Sequence, residues 1–139
     1  MSSSFLDVPA HLIDDSAPRN LDDAKTTDTP LLLSKSLMQK MGLNPKHCGF
    51  VVVEGEAMKP TIEGECLLLL DFSANKLKDG RIFALEIGTR VLVRRVQILL
   101  DRIVLLADNP DYPKMEIVGE NMQRLKVIGQ VRYMGRAFQ

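Results

Sequence analysis

A chain of 139 residues with 45% hydrophobic and 26% charged side chains is one domain's worth of globular protein, which excludes fibrous, low-complexity and largely disordered readings. Its 18 basic residues balance 18 acidic ones, so it lacks the diffuse positive field with which proteins hold a phosphate backbone non-specifically. The longest apolar run, Cys66–Leu70, is far too short to span a bilayer, and no basic region followed by an apolar stretch opens the chain; the expectation is a cytoplasmic protein without a membrane partner. Cys48 and Cys66 lie in no CxxC pair and are expected as free thiols.

Taken in chain order, residues 1–30 carry six aspartates against Arg19 and Lys25, a net charge of −4, which leaves +4 for residues 31–139. Apolar groups in this first segment (Phe5, Val8, Leu12, Ile13) are isolated and follow no sustained period, so residues 1–30 are read as an extended arm and residues 31–139 as the domain. The run LLLSKSLMQKMG from Leu31 to Gly42 predicts one short helix: Ser34 or Ser36 can cap it, Leu37, Met38 and Met41 supply an apolar stripe, and Gly42 suits its stop. Pro45 reinforces the break. Everything beyond His47 reads as strands, in GFVVVEG, ECLLLLD, RIFALEIG, RVLVRRVQI, RIVLLAD, MEIVG and LKVIGQVRYMG, separated by turn residues at Glu63-Gly64, Asp79-Gly80, Gly88-Thr89, Asn109-Pro110 and Gly119. Gly88-Thr89 is the sharpest hairpin signal, because glycine tolerates the positive φ needed at the first central position of a two-residue turn.

Metal or cofactor chemistry has little to build on. The chain has two histidines, His11 and His47, and His47 beside Cys48 is not a ligand spacing, so no metal is expected. Neither GxGxxG nor GxxxxGK occurs, and no cofactor is implied.

The stretch VVVEGEAMKPTIEGECLLLLD, followed by LKDGRIFALEIGTRVLVRRVQ, IVLLADNPDYPKMEI and VIGQVRYMG, resembles element by element the C-terminal peptidase domain of the LexA and phage CI repressors, shared by UmuD-like proteins. The resemblance covers residues 47–136 and, more loosely, 5–46. Gly55, Glu56, Met58, Pro60 and Thr61 match the family's G-[DE]-S-M-x-P-T-[IL]-x-[DE]-G-[DE] in register, and Gly64 and Glu65 match its final G-[DE] one position early; Val93 and Arg95 match its V-K-R strand; Asp108, Asn109 and Tyr112 match its [DS]-N-x-x-[YF] loop. It implies a mainly β fold of short antiparallel strands in a partly barrel-like sheet with one short helix, and a cleft carrying Gly55, Met58 and Pro60.

Three departures from the family pattern bear on activity. The family's serine nucleophile is replaced by Ala57, whose methyl has no oxygen to attack a carbonyl, and its lysine general base by Arg94, whose guanidinium stays protonated. The arm sequence DVPAHLIDDSAPRN resembles the family's cleavage segment and puts Ala17 and Pro18 at the cut, where proline offers a tertiary amide and no N–H. Neither Thr61, which lacks a base, nor Lys59, next to Pro60 in an expected turn, replaces the lost pair. Arg94 shares its strand face with Leu92 and Val96 and so either fills the old lysine pocket or is an edge-strand arginine reaching solvent.

By resemblance the chain is a regulatory and dimerisation domain of a phage-type repressor that cannot cleave itself. It is expected to form a homodimer, to answer to a RecA filament or a protein antirepressor, and to meet DNA only through a helix-turn-helix domain absent from this chain. Losing nucleophile, base and scissile glycine together favours this over a self-cleaving peptidase trapped by mutation. A UmuD-like accessory subunit of a translesion polymerase is the third reading.

Overall fold

Alternating and continuous runs of Val, Ile and Leu build strands, and in the computed structural model, which describes residues 5–14 and 26–136, they join one sheet. The strands are β1 (Phe5–Asp14), β2 (Thr26–Ser34), β3 (Cys48–Glu54), β4 (Cys66–Asp71), β5 (Ile82–Ile87), β6 (Arg90–Ile98), β7 (Arg102–Leu106), β8 (Met115–Val118) and β9 (Leu125–Gly135). Their order is β2-β1-β3-β4-β9-β5-β6-β7-β8. Every pairing is antiparallel except that of β1 with β3. The mainly β expectation holds, with β2 and β8 as the two free ends of a sheet not closed into a barrel.

Continuous apolar sequence marks strands buried on both faces. In β4, Leu68 and Leu70 pack with Val51, Val53, Met58, Ile62, Ala84, Val91 and Val93, whereas Leu69 between them packs on the other face with Phe50 and Met38. A third cluster, Phe83, Leu85, Val96, Leu105 and Ile117, joins β5 through β8. Each such leucine contributes on the order of 1.5–3 kcal/mol by leaving water.

The expected hairpin at Gly88-Thr89 joins β5 to β6, with Ile87 opposite Arg90 and Gly88 at φ +59°. The expected helix is shorter than its pattern suggested. Only Lys35–Lys40 forms helix α1, while Leu31–Ser34 belongs to β2, where it pairs with Phe5–Val8 of β1. LLLS suits either element, and a neighbouring strand supplies hydrogen bonds that outweigh weak local propensity. Met38 still docks as the apolar stripe required, 1% exposed. Two short helical segments had no counterpart in the sequence reading: a 3₁₀ turn at Pro45–His47, capped by the Asn44 side chain, and helix α2 at Asn121–Arg124.

β9 crosses the middle of the sheet between β4 and β5, with register shifts against both. At this crossing Gly129 lies so close to β4 that a Cβ would sit 2.7 Å from the Asp71 carbonyl oxygen. Only glycine permits that approach. Both cysteines are free, as expected, and buried; burial, with Asp71 second, pushes the Cys48 thiol up to about 11, which keeps it protonated and unreactive.

Candidate functional site

β7 pairs only with Arg95–Ile98 of β6, so among the described residues the Arg90–Arg94 half of β6 has one open edge. A cavity of about 480 Å³ lies there, lined by Gly55, Ala57, Arg90, Arg94, Tyr112 and Met115 among others. The structure therefore unites Ala57 and Arg94, far apart in sequence, at one cleft. Arg94 is 7% exposed and is not a solvent-reaching edge arginine; its Nη1 donates to the Val93 carbonyl at 2.8 Å. Ala57 is 1% exposed, and Met58 is buried in the core beneath it. Gly55 lines the same cleft at φ +156°.

The loop carrying Asp108, Asn109 and Tyr112 holds the Ala57 turn in place. Asn109 donates twice, from its backbone N–H to the Ala57 carbonyl at 3.0 Å and from Nδ2 to the Glu56 carbonyl at 2.9 Å. Its own Oδ1 accepts from the Asp111 N–H at 2.9 Å. Asp108 accepts from Arg95 Nε at 2.9 Å and Nη2 at 2.8 Å and from the Thr61 hydroxyl. The Arg95 hydrogen bond, with Thr61 adding to it against the cost of partial burial, holds the Asp108 carboxyl below the usual carboxylate range. Thr61 and Asp108 are thus committed to structure, and an aspartate held ionised by arginine is a weak base.

Lys59 is committed as well. Its Nζ lies 2.6 Å from Glu56 Oε2, and that hydrogen bond raises its pKa above the ordinary lysine value, so the ammonium keeps its proton. Pro60 follows through a cis peptide bond. Among the described residues no group of three or more His, Cys, Asp or Glu side chains could hold a metal, and no helix is long and apolar enough to cross a membrane. Ala17 and Pro18 lie outside the described residues.

Sequence reasoning singled out Ala57 and Arg94 but missed Arg90, which lines the same cavity. Its signal was available: Arg90, Leu92 and Arg94 alternate onto one face of a strand. The role of Asn109 as a clamp on the Ala57 turn had no signal, because both acceptors are backbone carbonyls.

This fold and cleft define a peptidase-like domain. The family model described as Peptidase S24-like matches residues 20–132, and the chain belongs to that family. A curated Haemophilus influenzae (strain Rd) protein described as an uncharacterized HTH-type transcriptional regulator is 35% identical over 105 residues, 75% of this chain. The chain spans 44% of that relative's length.

Proposed function

We propose that this chain is the regulatory and dimerisation domain of a phage-type transcriptional repressor, and that its cleft does not cut peptide bonds. One observation carries the reading: Ala57 and Arg94 line a single cavity, at the positions where the family pattern places nucleophile and base. A methyl group cannot attack a carbonyl, and a guanidinium, which stays protonated, cannot take a proton from a nucleophile. Neighbouring Thr61 and Lys59 are engaged with Asp108 and Glu56, which leaves no alternative dyad in the turn. The pairing of Asp14, at the end of β1, with Glu54, the chain neighbour of cleft-lining Gly55, supports reading the Ala17-Pro18 bond that follows as a vestigial cleavage site.

The related HTH-type regulator supports a role in transcription. On this reading a helix-turn-helix domain makes the DNA contact, this domain pairs two copies in the cytoplasm, and release comes from a protein antirepressor, because a RecA filament acts by stimulating self-cutting. The direct test is prolonged incubation of the purified chain at alkaline pH followed by intact-mass measurement. The mass is expected to stay that of the full chain; fragments from cutting of its own backbone would overturn the proposal.

A further inference from the structure

A second cavity, of about 500 Å³, lies apart from the Ala57 cleft, where the Lys78–Ile82 segment and the end of β6 face β9. It is lined by four cations, Lys78, Arg81, Arg95 and Arg132, and by Gln130, with no carboxylate among its lining residues. Arg95 is spent on Asp108 and on the Gly80 carbonyl. Lys78, Arg81 and Arg132 are not: among the described residues none of the three has an ion-pair partner, and Arg132 gives one Nη2 bond to the Met41 carbonyl at 2.9 Å. Three cations around one hollow repel one another, and an anion between them relieves that repulsion.

Gln130 is the second, independent sign. It is 8% exposed, lines the hollow, and among the described residues its carboxamide has no hydrogen-bond partner. Buried carboxamides are nearly always partnered, because desolvation strips them of water without return. A carboxamide offers a donor and an acceptor side by side. The pocket therefore presents positive charge around its rim and a neutral, two-way hydrogen-bonding group in its wall.

We propose that this pocket binds a nucleotide: its phosphates engage Lys78, Arg81 and Arg132, and Gln130 pairs with a donor–acceptor edge of its base. Guanidinium forks match phosphate oxygens in pairs. A hollow of this volume encloses a small molecule, whereas the convex backbone of a DNA duplex would leave Gln130 unreached.

Calorimetric titration of the full chain at constant ionic strength tests this with four probes: a nucleoside triphosphate, inorganic pyrophosphate, citrate and a short DNA duplex. The triphosphate is expected to bind best. Lys78→Ala with Arg81→Ala, both on the exposed rim, should weaken triphosphate and pyrophosphate by about tenfold or more, and Gln130→Leu should weaken the triphosphate several-fold while sparing pyrophosphate. No binding at millimolar triphosphate, affinity indifferent to the double rim variant, or equal or tighter binding of citrate or duplex would overturn the proposal. Should Gln130→Leu fail to fold, the rim variant decides alone.

Discussion

The Asn109 carboxamide donates to the Glu56 carbonyl at 2.9 Å, across 53 residues of chain. With the Asn109 N–H on the Ala57 carbonyl, this cross-link fixes the turn in which the family's nucleophile would stand. On the proposed reading, the scaffold of a catalytic cleft is kept where its reacting atoms are not, as expected if the turn and loop also support packing: Met58 and Ile62, which follow Ala57, are buried core residues.

Asn109→Ala removes two exposed side-chain hydrogen bonds, to the Glu56 carbonyl and from the Asp111 N–H, and is expected to cost about 1–2 kcal/mol, measured by urea denaturation. Amide exchange should quicken at Lys59, at position 109 and at Tyr112, whose N–H groups donate within the same turn and loop.

Asp108→Asn breaks a two-pronged contact with Arg95 at a carboxylate whose side chain is 14% exposed. Because Arg95 is itself 34% exposed, the loss at neutral pH is expected near the lower end of the range for such bonds, about 1–2 kcal/mol. The folded-state pKa of Asp108 is lowered, so its contribution is full above the unfolded value of about 4 and is lost as pH falls through the lower folded value. Denaturation midpoints of parent and variant should thus converge below about pH 4; a gap independent of pH would refute the assignment.

Gly129→Ala places a methyl 2.7 Å from the Asp71 carbonyl oxygen, against the backbone of Asp71 and Phe72. We expect a loss of about 1–3 kcal/mol, the usual cost of overpacking, with a lowered thermal midpoint as the readout. An unchanged midpoint would mean that β9 and β4 separate freely.

Restoring both reacting groups, Ala57→Ser with Arg94→Lys, probes what the cleft has lost. Without a scissile glycine the double variant is expected to stay whole over the alkaline incubation, as followed by gel and mass measurement. Brisk self-cutting would show that substrate segment and cleft are intact, and would favour a trapped peptidase over a naturally inactive domain.

Light scattering at about 50 μM, a concentration that populates weak domain contacts, is expected to return twice the mass of one chain. The open sheet ends at β2 and β8 are edges of the kind that invite pairing. A monomer alone at that concentration would remove dimerisation from the proposed role.

Local chemistry alone determined much of this. Runs such as ECLLLLD and RVLVRRVQI have no strand-free reading that buries them, Gly88 demands its turn, and the absence of an oxygen at Ala57 and of a removable proton at Arg94 follows from residue identity. Tertiary structure decided the rest. LLLS at Leu31–Ser34 became strand because β1 lay beside it; the cleft beside Arg94 exists because β7 pairs with β6 only from Arg95 onward; and the cation-lined hollow exists because β9 threads between β4 and β5, bringing Gln130 and Arg132 to Lys78 and Arg81. Each of these depends on contacts between residues distant in the chain, and a one-dimensional pattern carries information about neighbours only at its own period.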